Sequence, residues 1–311
     1  DPEMSRGLGD VYKRQLKELP EQPLTFDIND ENLEIFIHFQ NGKYNFIGQK
    51  GDTYPQQKPL NDNAISISMD AQMLLNGISR SLFATADDEL RPVMNGVYFD
   101  IHTDDLTFVA SDGHKLVRLR NLAVKSPERA SFILPKKPAN LLKNLLAKES
   151  EQVLIKFDDN NAYITCTNFE MVCRLIEGRY PNYNSVIPQE NPFKVTIDRI
   201  SFLNALKRVS VFSNPASSLV KLHLKDSLIT VSAQDIDFST SAEERIVCQF
   251  DGTELSIGFK ATYLIEILGN ISSEEVVLEL ADPSRAGLIV PSENDEDEDL
   301  LMLLMPMMLN D

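Results

Sequence analysis

A repeat constrains this chain more than any other feature. Four segments with apolar residues at helical spacing begin near Asp70, Lys136, Asp198 and Lys260, at intervals of 66, 62 and 62 residues. A recurring interval of this kind marks a repeat architecture. Each copy follows one plan. A short strand leads into the helix, at residues 65–68, 131–134, 194–197 and 254–258. Runs of alternating, β-branched sequence follow it. In the second copy these are residues 152–157, 162–167 and 171–176, with a hairpin turn at 158–161. In the third they are 219–225 and 228–233, turning at Asp226 and Ser227. Period-two alternation broken by Asp, Asn and Ser is the hairpin signal.

The front of the chain fits the plan with its first part missing. Residues 16–19 read as a last helical turn ended by Pro20, and strands follow at 23–28, 33–39 and 43–48. Their offset from the second copy is close to two periods, so the natural unit is a pair of copies. The expected organisation is a remnant of a first domain at 16–63, a middle domain at 64–190 and a last domain at 191–311. Residues 1–15 carry no periodicity and read as foreign or misjoined sequence, set aside from the fold. The fold class is α+β, built of β-α-β-β-β half-domains joined in pairs.

Composition limits the function. Apolar residues make up 42% and charged residues 25%, as in ordinary globular chains. No apolar run reaches the ~20 residues of a membrane helix, and the longest candidate, 300–309, contains Pro306. Three cysteines without metal spacing read as free thiols of a reducing cytoplasm. No GxxxxGK[ST] loop occurs, so nothing points to ATP hydrolysis. The acidic run at 293–299 lacks the glycine and spacing of a calcium loop and reads as a solvated, flexible loop. Asp112 and His114 share a strand face, but no nucleophile has a recognisable setting beside them. The sequence therefore predicts no catalytic residue, no metal and no cofactor.

Charge is unevenly spread. The whole chain carries −17, which at face value argues against nucleic acid. The helices, however, are one-sided. In the Lys136 helix, Leu141, Leu142, Leu145 and Leu146 make the apolar stripe and Lys137, Lys143 and Lys148 lie opposite. In the Asp198 helix, Ile200, Phe202, Leu203, Leu206 and Val209 face inward and Arg199, Lys207 and Arg208 outward. The Asp70 helix exposes Arg80. On any one helix this is also the look of a solvated face. Repetition favours a shared basic surface for a polyanion, one that positions phosphates and reads no bases.

Four stretches carry a resemblance. They are Arg91-Pro-Val-Met-Asn-Gly-Val-Tyr-Phe99, Ala110-Ser-Asp-Gly-His-Lys-Leu116, Glu177-Gly-Arg-Tyr-Pro-Asn-Tyr183 with Val186-Ile-Pro188, and Leu304-Met-Pro-Met-Met-Leu309. In order and spacing they resemble the bacterial DNA polymerase III β subunits, the β sliding clamps, and the likeness runs from Leu16 to Asp311.

The resemblance implies clamp domains with helices on the inner face, sheets on the outer face and duplex DNA passing through a closed ring of two subunits. An acidic exterior then disfavours DNA on the wrong surface. Lys136 and Lys137 match a basic pair at the family's strand–helix junction. Arg80, Lys143, Arg199, Lys207 and Arg208 join them as DNA candidates from the helix faces alone. The resemblance also implies a peptide-binding pocket, carried onto Met94, Gly113, His114, Lys115, Leu116, Pro181, Val186, Leu303, Met305, Pro306 and Met307. Clustered methionines suit a surface that refits to several ligands. Ser185 and Met308 stand where the family often has a basic residue. Implied partners are the replicative polymerase subunit, the clamp loader and other proteins with clamp-binding motifs. With part of the first domain missing, ring closure as a homodimer is expected to be impaired. The competing reading is a repeat-built peptide adaptor that does not encircle DNA.

Overall fold

A computed structural model of the chain describes residues 16–53 and 59–309. The segment at 1–15 lies outside the described residues. The chain divides into two compact units, Asp1–Pro59 and Leu60–Asp311. In the first, Leu16 and Lys17 are helical and the chain leaves the helix before Pro20. Strands β1 (Thr25–Ile28), β2 (Glu34–Phe39) and β3 (Gly42–Ile47) then form an antiparallel sheet in that order. Phe26, Ile28 and Ile47 are exposed on it.

The second unit holds four β-α-β-β-β copies. The leading strands are β4 (Ile65–Asp70), β8 (Ala130–Pro135), β12 (Phe193–Asp198) and β17 (Leu255–Lys260). They feed helices α1 (Ala71–Ser81), α2 (Lys136–Leu146), α3 (Arg199–Val209) and α4 (Ala261–Gly269). Three antiparallel strands complete each copy. These are β5 (Gly96–Ile101), β6 (Leu106–Ser111) and β7 (Lys115–Asn121); β9 (Gln152–Phe157), β10 (Asn161–Thr165) and β11 (Glu170–Arg174); β13 (Leu219–Lys225), β14 (Leu228–Asp235) and β15 (Thr240–Val247); and β18 (Glu275–Leu280), β19 (Gly287–Pro291) and β20 (Glu298–Leu304). A two-residue strand, β16 (Gln249–Phe250), sits beside β12.

Local chemistry sets the junctions. Asp70 and Asp198 cap α1 and α3, their carboxylates accepting from the backbone N–H of Gln72 (2.8 Å) and Ser201 (2.7 Å). The turn at Asp226 and Ser227 has φ of 50° and 59°, the doubly positive pattern of a two-residue hairpin.

Each leading strand pairs with the other copy of its pair. β4 pairs with β9, β8 with β5, β12 with β18 and β17 with β13. One copy alone cannot complete its own sheet, so the exchange makes two copies the smallest closed unit. Within each pair the two helices pack side by side, α1 on α2 and α3 on α4. Their buried side chains, Leu74, Ile78, Leu142, Leu146, Phe202, Leu206, Leu264 and Leu268, enter one core with the sheets. Strand β20 then pairs with β7, joining two four-stranded sheets and β16 into nine strands ordered β16-β12-β18-β19-β20-β7-β6-β5-β8.

Three expectations are corrected. Leu141 and Ile200 do not join the buried stripes but stand about half exposed, because Ala139, Leu142 and Leu146 on α2, and Phe202, Leu203, Ala205, Leu206 and Val209 on α3, already fill the faces toward the sheets. The acidic run is a solvated loop only over 293–297, and it is tethered at its far end. Leu122 N–H bonds the Asp297 carbonyl at 2.8 Å, Asn294 Oδ1 accepts from Leu300 N–H at 2.9 Å, and Glu298 and Asp299 begin β20 in ion pairs with arginines. No described helix is long and apolar enough to cross a membrane.

Candidate functional site

The sequence around 305–307 becomes a wall because the chain end is stitched to both pairs of copies. Met305 N–H donates to the His114 carbonyl at 2.8 Å, in the turn between β6 and β7. Met307 N–H donates to the Gly258 carbonyl on β17, also at 2.8 Å. Gly258 permits this approach, since a Cβ there would lie 2.7 Å from the Met307 carbonyl oxygen. Between these anchors lies a hollow of about 210 Å3, lined by His114, Ala216, Ser217, Lys260, Tyr263, Met305, Pro306 and Met307. Its walls are mainly apolar, with the His114 and Tyr263 rings stacked at 6.2 Å.

Lys115 joins the two pairs beneath the hollow. Its ammonium lies 3.0 Å from Asp112, 3.1 Å from Glu266 on α4 and 4.1 Å above the centre of the Tyr263 ring. Burial alone would lower its pKa, but the two carboxylates outweigh that and hold it above its ordinary value. Burial likewise pushes Asp112 up. The backbone N–H groups of Lys115 and His114 and the Lys115 ammonium overcome it and hold the carboxyl below its ordinary value. Gly113 carries this turn at φ +92°, a conformation glycine adopts without strain. Asp112 is thus an anchor of the turn, with both oxygens occupied.

The structure splits the predicted pocket residues into groups. His114, Met305, Pro306 and Met307 line the hollow. Leu116 and Leu303 are cross-strand partners, each only 3% exposed, in a cluster with Tyr180, Tyr183 and Ile187 of the segment between the two pairs. Tyr180 stacks on Tyr98 at 4.6 Å and the Tyr183 hydroxyl donates to Asp100 at 2.8 Å, pinning that segment over the sheet. Pro181 and Val186 on it are exposed. Met94 is buried in the short turn Pro92–Met94. Sequence reasoning missed Tyr263, Lys260, Ala216 and Ser217 as lining residues. Lys260 stands at the strand–helix junction of its copy, one repeat position before that of Lys136, and that junction was the available signal.

The DNA candidates also divide. Lys137, Lys143 and Lys207 are exposed and make no ion pair among the described residues, as does Lys148. Lys136 is paired with Asp87 at 2.5 Å. Arg208 makes a two-pronged contact with Glu244 at 2.8 and 2.7 Å, an exposed pair that contributes little and competes weakly with a phosphate. Arg80 is engaged within the chain. Its guanidinium meets Glu298 (2.7 Å), Asp295 and Ser272, so it bolts α1 to the other pair of copies. Arg199 is engaged too, donating to the Ser273 and Leu268 carbonyls at 2.7 and 3.2 Å around the end of α4.

Among the described residues no group of three or more His, Cys, Asp or Glu is placed to hold a metal ion.

Comparison with known proteins agrees with this geometry. The DNA polymerase III beta subunit central domain matches residues 68–182, and the C-terminal domain of the same subunit matches 184–308. The beta sliding clamp of Pseudomonas aeruginosa is 27% identical over 294 residues, 94% of this chain and 78% of that protein. That of Staphylococcus aureus is 27% identical over 290 residues, covering 92% and 76%. A DnaN sliding clamp from Bartonella birtlesii, solved bound to griselimycin, superposes with a TM-score of 0.88 at 26% identity, covering 96% of this chain and 80% of that one. A Pseudomonas aeruginosa clamp solved with a ligand gives 0.87 at 27%, covering 98% and 81%. With two domain families matched across most of its length, the chain belongs to the DNA polymerase III β subunits, the β sliding clamps, which are non-catalytic processivity factors of bacterial DNA replication.

Proposed function

We propose that this clamp holds replication proteins on duplex DNA through two separate surfaces. The basic side chains of α2 and α3 face the phosphates: Lys137, Lys143 and Lys207 directly, Lys136 and Arg208 after release from Asp87 and Glu244. The hollow beside the chain end takes a short extended peptide from the replicative polymerase subunit, the clamp loader and other clamp-binding proteins in turn. The linker-covered cluster of Leu116 and Leu303, with Pro181 and Val186 at its rim and Met94, Gly113 and Lys115 supporting it, continues that surface. Strand β15 is the outermost strand of its sheet, and exposed Val211, Phe212, Phe238 and Val247 lie on or near it. It is the edge through which we expect a second subunit to associate head to tail.

The observation that carries this reading is the hollow itself. It is apolar, opens at the surface and is walled by Met305, Pro306 and Met307 from one pair and His114 from the other. The test is fluorescence anisotropy with a short labelled peptide holding one glutamine and several apolar side chains, with a thermal melt of each protein. Truncation after Leu304 is expected to abolish binding while the melt changes little. Full binding by the folded truncated protein would overturn the assignment.

A further inference from the structure

Lys260 lines the hollow beside Tyr263. Its ammonium lies 4.9 Å from the centre of the Tyr263 ring, while the Lys115 ammonium lies 4.1 Å from the same ring. The two lysines differ in their partners. Lys115 is neutralised by Asp112 and Glu266. Lys260 is half-buried, lines the hollow and makes no ion pair among the described residues. The nearest acid on α4, Glu266, is already held by Lys115, and Glu254 on the approach to β17 is held by Lys225 and His223.

Resting on the peptide-pocket reading above, we infer that Lys260 selects peptides that carry a carboxylate next to the apolar side chain seated against Tyr263 and Met305–Met307. The aromatic ring keeps the ammonium over the hollow by cation–π attraction. An incoming carboxylate supplies the missing counter-charge, and the partly desolvated setting makes that pair stronger than one in open water. Lys260 is a specificity residue: the apolar walls give affinity, and the ammonium discriminates between acidic and neutral ligands.

The test uses two labelled short peptides, each with one glutamine and several apolar side chains. They differ only in an Asp or an Asn beside the last apolar residue. The Asp peptide is expected to bind the unmodified chain about 2- to 5-fold tighter, the range of a partly exposed ion pair, with the preference shrinking as salt rises. Lys260→Gln should equalise the two peptides with an unchanged melt, and Lys260→Arg should restore the preference. Binding of both peptides with the same Asp preference in Lys260→Gln overturns the inference and leaves the pocket standing. Failure of both peptides to bind the unmodified chain overturns the pocket reading and this inference with it.

Discussion

The ammonium of Lys115 lies 4.1 Å over the ring of Tyr263, two residues whose strands and helices belong to different pairs of copies. One side chain therefore joins the pairs mechanically and supports the floor of the hollow. Lys115→Met keeps most of the packing and removes the charge. It should cost about 1–3 kcal/mol, less than a fully buried pair because Glu266 is partly exposed. The pH dependence follows from the two shifts. Asp112, held below its ordinary 3.8, stabilises above that value and loses its contribution as pH falls through its folded pKa. Lys115, held above its ordinary 10.5, stabilises fully below that value and loses its contribution as pH rises through its folded pKa. Melts of the two proteins should differ by a constant amount between those limits and converge outside them.

Gly77 sits inside α1, where alanine would ordinarily favour the helix by about 1 kcal/mol. A Cβ there would lie 2.4 Å from the ring of Phe108, which is fully buried and has nowhere to retreat. Gly77→Ala is therefore expected to destabilise by about 2 kcal/mol or more in chemical denaturation. A stabilised variant would show that α1 stands farther from β6 than described here.

Burial pushes the Cys166 and Cys173 thiols up to about 11 and raises Cys248 as well. All three are free. At pH 8 the thiolate fraction is small, so a disulfide reagent should label the native protein slowly and all three thiols rapidly in denaturant. Fast native labelling of Cys248 would contradict its burial, and fast labelling of Cys166 or Cys173 would contradict the raised pKa of that half-buried thiol.

The repeat made much of the fold legible. The strand–helix junctions fall at Asp70, Lys136, Asp198 and Lys260, and residues 152–157 and 219–225 form strands over the expected spans, because period and turn chemistry are local signals. The strand exchange was not legible. β4 pairs with β9 of the next copy, past its own three following strands, and nothing in either strand's alternation names its partner. The ion pairs of Arg80 were not legible for the same reason, since Asp295 and Glu298 are distant in sequence. Leu141 was misread because a leucine beside a buried stripe looks like part of it until the sheet beneath shows where the stripe ends. The motif at 110–116 and the methionines at the chain end led to the hollow, but Tyr263 was invisible because it sits on α4, well before the chain end and outside either motif.

The proposed DNA contact rests on the lysine faces of α2 and α3 rather than on Arg80. The most direct measurement is the salt dependence of duplex binding for the unmodified chain, for the combined Lys137→Gln, Lys143→Gln and Lys207→Gln variant, and for Arg80→Gln. Each lost phosphate contact lowers the log–log salt slope by about 0.9. The account predicts a slope smaller by about 2.7 in the triple variant and an unchanged slope in Arg80→Gln. An unchanged slope in the triple variant, or a slope reduced by Arg80→Gln alone, would contradict it.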